Sequence, residues 1–124
     1  MNINIKTTNI SLDEPLKIWV DEKFFELKKL LIPFENKGEK RELTQLFVEI
    51  GKISKHHNKG EVFRAEAQIR LPKKSLRAES TSIDLRTAIV NTRDELAREI
   101  RKYRGKRVVR ARKWAIEVKQ KFLR

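Results

Sequence analysis

The sequence predicts an α+β fold in the order β-α-β-β-β-α: a four-stranded sheet with two helices packed on one face, followed by a basic C-terminal tail or helix. Three neighbouring segments alternate apolar and polar residues and are joined by short turns, the pattern of half-buried strands in hairpins. Two further segments repeat apolar residues at three- and four-residue steps, the pattern of amphipathic helices. A sheet with one apolar face needs a cover, and two such helices supply it.

Ile3 and Ile5 alternate with Asn4 and Lys6, which predicts a short first strand. In "SLDEPLKIWVDEKFFELKKLLIPF", acidic Asp13 and Glu14 followed by Pro15 mark a helix beginning. Leu16, Trp19, Val20, Lys23, Leu27 and Leu30 fall on one stripe, with Lys23 the polar interruption, and Pro33 is expected to end the helix. "ENKGEKREL" reads as a loop. Leu46, Val48 and Ile50 then alternate with Phe47, Glu49 and Gly51. Phe63, Ala65, Ala67, Ile69 and Leu71 alternate with Arg64, Glu66, Gln68 and Arg70, and Leu76 and Ala78 with Arg77 and Glu79. The links "KHHNKG" and "PKK" are turn-like. The polar residues of these strands form a face of mixed charge, read as mainly solvated.

The second helix is expected to start near Ser82 or Asp84, either of which can cap it. At about 100° per residue, Leu85, Ile89, Thr92, Leu96, Ile100 and Tyr103 share one side, the expected core side. Arg86, Arg93, Arg101 and Arg104 lie along one flank of it; Glu95 and Glu99 lie on the other, with Lys102 beyond them. Arg98 points away from the core, and the basic flank continues into Lys106 and Arg107.

Charge then narrows the function. The chain carries 30 Lys+Arg against 17 Asp+Glu, a formal +13, and the excess is uneven. Residues 1–100 hold 19 basic and 16 acidic side chains, whereas residues 101–124 hold 11 basic and only Glu117 as an acid. Such an end suits a polyanion, nucleic acid before an anionic membrane. Arginine outnumbers lysine from 86 to 112, which favours phosphate recognition, because the guanidinium makes planar bidentate contacts. In "KRVVRARKWAIEVKQKFLR", Ala111, Ala115, Val118 and Phe122 share a stripe beside Trp114. Three readings are open for it: a third helix packed on the domain, a helix formed only on a partner, or a membrane-surface helix.

Enzyme chemistry has little support. No Gly-rich phosphate loop, His-Glu-x-x-His or serine elbow is present. The only histidines, His56 and His57, are adjacent in a turn, and no cysteine exists to complete a ligand set, so no metal and no cofactor is expected. The N-terminus lacks a signal-peptide pattern and no apolar run approaches the roughly 20 residues of a membrane span, so a cytoplasmic protein is expected.

The residues also carry a family resemblance. "VDEKFFELKKL", "HHNKGEVFRAEAQIRLP", "LRAESTSIDLRTAI" and "DELAREIRKYR", in that order over about residues 1–106, resemble the ribosome hibernation-promoting factor family. That family includes ribosome-associated inhibitor A and is also labelled sigma-54 modulation protein; the likeness is to its short form. Lys23, Arg98, Arg101, Lys102, Tyr103 and Arg104 fall on matching positions. Val90 and Glu95 stand where the family usually has Asp and Lys, and the tail is basic where the inhibitor A branch is acidic.

The resemblance implies a factor that binds small-subunit rRNA in the channel between head and body. There it blocks the A and P sites, competes with mRNA and tRNA, and inhibits translation in idle ribosomes under stress. The expected division is a ribosome-binding domain, 1–106, and a basic C-terminal extension, 107–124, in a chain that is monomeric when free. The expected rRNA contacts are Lys23, Arg86, Arg93, Arg98, Arg101, Lys102, Arg104, Lys106 and Arg107, with Arg110, Arg112 and Lys113 behind them. The alternatives are a general double-stranded-RNA binder, since three strands and a helix are also that domain's order, or a transcription-associated regulator.

Overall fold

Burial alternates along the strands of the computed structural model, which describes residues 1–32, 44–53, 60–71 and 73–122, save the side chains of Arg107, Val108 and Phe122. The elements are β1 (Asn2–Thr8), α1 (Glu14–Phe25), the short α2 (Lys28–Leu31), β2 (Gln45–Ile53), β3 (Val62–Arg70), β4 (Ser75–Ser82) and α3 (Leu85–Phe122). The predicted order and the four-stranded sheet are both present. Pro33, the "ENKGEKREL" segment, His56 and His57 lie outside the described residues.

The strands lie in sequence order, β1-β2-β3-β4. β1 runs parallel to β2, with Ile3 opposite Leu46 and Ile5 opposite Val48. That parallel pairing requires a crossover, and α1 lies within it. The other pairs are antiparallel: Leu46 faces Ile69, and Ala67 faces both Val48 and Ala78. At Gly51 β2 leaves β1 little room for a side chain. A Cβ there would sit 3.0 Å from the Thr8 carbonyl oxygen and 3.2 Å from its Cβ.

One face of the sheet buries Leu46, Val48, Ile50, Ala65, Ala67, Ile69, Leu76 and Ala78. α3 covers it over β3 and β4 with Ala88, Ile89, Leu96, Ala97 and Ile100, while Leu85 and Tyr103 are half-buried. Thr92 is fully buried at the centre. Its hydroxyl lies 3.1 Å from the Ala65 carbonyl oxygen and 2.8 Å from that of Ala88, so the one polar group in this contact has acceptors. The predicted core side of the helix is thus the observed one.

The first helix departs from its predicted course. It begins where the acidic start and Pro15 place it, and Asp13 caps it by accepting the Leu16 amide at 2.9 Å. The single helix read up to Pro33 is instead two. The Leu27 amide bonds the Phe24 carbonyl and the Leu30 amide bonds Leu27, both at 3.0 Å and three residues back, so the backbone tightens between α1 and α2. The tighter turn rotates α2 relative to α1. Phe24 and Leu31 are fully buried with Val20 and Leu27, whereas Leu30 is half-buried and Lys23 stays at the edge.

The solvated sheet face is as mixed as its sequence. Arg64 pairs with Glu66 at 3.0 Å and Glu79 at 2.5 Å, Arg77 pairs with Glu66 at 2.6 Å, and Lys52 pairs with Glu61. Glu79 is held below its ordinary pKa by the Arg64 hydrogen bond and charge. These pairs lie at the surface or only partly buried, and each contributes little.

α3 starts on both expected caps. Ser82 Oγ accepts the Asp84 amide at 3.2 Å, and Asp84 Oδ2 accepts the Thr87 hydroxyl at 2.6 Å and the Thr87 amide at 3.1 Å. The helix then runs 38 residues without a break, about 57 Å at 1.5 Å per residue. The C-terminal segment is therefore the continuation of α3, not a separate helix folded back on the domain. Beyond Tyr103 none of the described side chains is buried, and only Val118 is half-buried.

This packing sets two expectations for stability. Leu96→Ala destabilises the domain by about 2–5 kcal/mol, measured by chemical denaturation, while Arg101→Ala with Arg104→Ala leaves the midpoint nearly unchanged. An equal loss from the Arg pair contradicts the facing of α3. Secondly, the hydrogen bonds from Thr87 hold Asp84 below its ordinary pKa. A depressed carboxylate stabilises above its unfolded pKa, about 3.9, and that stabilisation is lost as pH falls through the folded value. Asp84→Ala therefore lowers the melting temperature at pH 7, and the gap to the parent chain narrows below about pH 4.

Candidate nucleic-acid interface

The twelve predicted cations separate into groups once their neighbours are known. Lys23 on α1 and Arg86 on the first turn of α3 converge on one ring: Lys23 Nζ lies 5.7 Å and the Arg86 guanidinium 5.1 Å from the Trp19 centroid. Residues far apart in sequence thus form one cationic cluster on an aromatic base, each cation attracted to the ring face.

Arg93 and Arg98 form a second group, whose charges are engaged. Arg93 bonds Glu26 at 2.6 Å and Asp94 at 2.8 Å, with 17% of its side chain exposed. Glu26 closes the C-terminal end of α1, so this ion pair ties α1 to α3. Arg98 is 67% exposed and pairs with Glu95 at 2.6 Å along the helix. The Glu95 hydrogen bond, reinforced by its charge, raises the Arg98 pKa above the ordinary value. Glu95 is the position where the resembling family usually carries Lys.

The third group begins where the acids stop. Arg101, Lys102, Arg104, Lys106, Arg110, Arg112 and Lys113 are exposed, and none makes an ion pair among the described residues. The Arg107 side chain lies outside the described residues. Lys74, in the turn between β3 and β4, lies 6.0 Å from the Tyr103 ring and adds a cation beside this group. Sequence reading missed it, because "PKK" reads only as a turn; its neighbour is a helix residue almost thirty positions on.

Arg86 and Arg101 are fifteen residues apart on one helix, about 22 Å. The face therefore has two cationic patches on a rigid rod, with the two acid-paired arginines between them. Fixed cations at fixed spacing suit a folded polyanion, whose phosphates are themselves at fixed spacing. Among the described residues, no group of three His, Cys, Asp or Glu is placed to hold a metal ion. No helix among them is long and apolar enough to cross a membrane.

No curated protein matches the chain. Among solved structures, the Protein Y N-terminal domain of Thermus thermophilus is similar at 24% identity and a TM-score of 0.64, covering 83% of this chain and 99% of that one. A ribosomal subunit interface protein from Coxiella burnetii is similar at 14% identity and a TM-score of 0.65, covering 85% and 99%. At these identities the two structures show a shared fold. The family described as sigma 54 modulation protein / S30EA ribosomal protein matches residues 3–108. With that match over most of its length, the chain belongs to the sigma 54 modulation protein / S30EA ribosomal protein family, whose members are non-enzymatic, ribosome-associated regulators of translation.

Proposed function

We propose that this protein is a cytoplasmic hibernation factor that binds the small ribosomal subunit in the channel between head and body. It occupies the space of mRNA and of tRNA in the A and P sites, and so keeps idle ribosomes out of translation during stress. The observation that carries the reading is the run of exposed cations on α3 from Arg101 to Lys113, continuous with the domain and about 22 Å from the Lys23–Arg86 cluster.

Each cation has a role in it. Arg101, Lys102, Arg104 and Lys106 are phosphate ligands, with Arg107 and then Arg110, Arg112 and Lys113 further along the same helix. Lys23 and Arg86 hold a second stretch of backbone. Arg98 reaches rRNA by exchanging Glu95 for a phosphate, which its exposure permits. Arg93 contributes mainly by fixing α1 against α3. Such contacts recognise shape and charge rather than base sequence. A division at 106/107 separates the sheet-bearing, ribosome-binding domain from its basic extension, and the free chain is a monomer.

The deciding experiment is a sucrose-gradient profile of tagged protein from starved cells. Co-sedimentation with small subunits or whole ribosomes is expected. Protein that stays at the top of the gradient, or follows any duplex RNA equally well, defeats the proposal. In purified form, affinity for small subunits should fall steeply with salt. With roughly six phosphate contacts, the slope of log K against log salt is about −4 to −5; a slope near zero contradicts an electrostatic interface.

A further inference from the structure

The end of α3 has an organisation that simple basicity does not require. From Arg104 to Phe122 the helix has left the sheet behind, an overhang of about 28 Å. Ala111, Trp114, Ala115 and Val118 share one side of it, in line with the buried stripe of Leu96 and Ile100. Trp114 is 67% exposed there. To one side of this stripe lie Arg112 and Lys119, below Arg101; to the other lie Lys106, Lys113 and Arg110. Glu117 is the only acid in the overhang. The apolar stripe is thus flanked on both sides by exposed cations that no acid in the described structure neutralises.

We propose that this overhang is an RNA-inserting arm: its Trp114 stripe faces bases, while its two cationic flanks meet two separate phosphate backbones. This rests on the reading of small-subunit RNA as the partner and adds how that RNA must be shaped. The major groove of a regular A-form duplex is too deep and narrow for side chains to read. The arm therefore requires a groove or cleft opened by unpaired bases, one of which stacks on Trp114. A second copy of the chain is disfavoured as the occupant, since two such arms repel. A membrane surface is disfavoured as well. Val109, 63% exposed, and Ile116, 56% exposed, lie opposite the stripe, where an interfacial helix needs a polar face.

The test uses the full chain and purified small subunits, with the salt dependence of binding as readout. One variant neutralises the first flank, Arg112→Gln with Lys119→Gln. A second neutralises the other, Lys106→Gln with Lys113→Gln. A third is Trp114→Ala, with Trp114→Phe as its conservative control. Each flank variant should make the log–log slope shallower by about 1.4 to 1.8, two phosphate contacts' worth. Trp114→Ala should weaken binding roughly five- to hundredfold, the range for one lost base–aromatic stack, and Trp114→Phe should retain most of the affinity. Melting temperature should be unchanged in all four, since none of these side chains is buried.

A change confined to one flank means that the arm lies against a single backbone, and overturns the proposal. So does loss on Trp114→Ala with both slopes intact, which indicates a protein groove. Unchanged binding in every variant removes the arm from the interface altogether. Failure of the parent chain to bind small subunits is a separate result, and defeats the ribosomal reading itself.

Discussion

The seating of α3 on a track of alanines sets everything else in this molecule. Ala65, Ala67 and Ala78 lie side by side on β3 and β4, with essentially no exposed surface. Their small side chains let a helix that itself presents Ala88 and Ala97 approach closely, and Ile89, Leu96 and Ile100 fill the space on either side. The Thr92 hydroxyl, 3.1 Å from the Ala65 carbonyl oxygen, adds a polar contact across this seam that a rotated helix would lose. Once the rotation of the rod is fixed, so is the direction of every cation along it.

That rotation has an electrostatic result. Of the cations on α3, Arg93 and Arg98 are paired with acids, while Arg86 at its start and the described cations beyond Ile100 are not. Arg93 meets Glu26 from α1, and Arg98 meets Glu95. After Glu99 there is no acid until Glu117. Positive potential therefore concentrates toward the far end of the helix and at the Trp19 cluster, rather than spreading over the surface, and an approaching polyanion is steered to those places.

Much of this was legible in the sequence where the signal was local. Strand alternation gave each sheet residue its correct face, since the period of two leaves no ambiguity once one face is apolar. The caps of α3 at Ser82 and Asp84 were legible because short polar side chains stand just before an apolar-periodic run. The stripe Leu85–Tyr103 was correct because that stretch of helix is regular. The features that failed to show depended on departures from regularity or on distant partners. Phe24 and Leu31 enter the core only because the backbone tightens at Leu27, which no periodicity reports. Arg93 reads as one more cation on a basic flank until Glu26, far back in the chain, is found 2.6 Å away. The continuation of α3 through Gly105 was obscured because glycine weakens a helix by about 1 kcal/mol relative to alanine and here coincides with the end of the buried stripe.

The unbroken course of α3 from the Asp84 cap also bears on how the overhang comes to be helical. Starting a helix is the unfavourable step, because several residues must be fixed before the first hydrogen bond returns anything, whereas lengthening one adds a bond for every residue ordered. The domain supplies the start, by clamping Leu85 to Ile100 against the sheet. Residues beyond Tyr103 need only propagate the helix already formed, with lysine and arginine, both good helix formers, to carry it. The arm is in this sense grown from the domain: its helicity should fade gradually from the free end rather than vanish at once, and it is tied to the folding of the sheet without touching it.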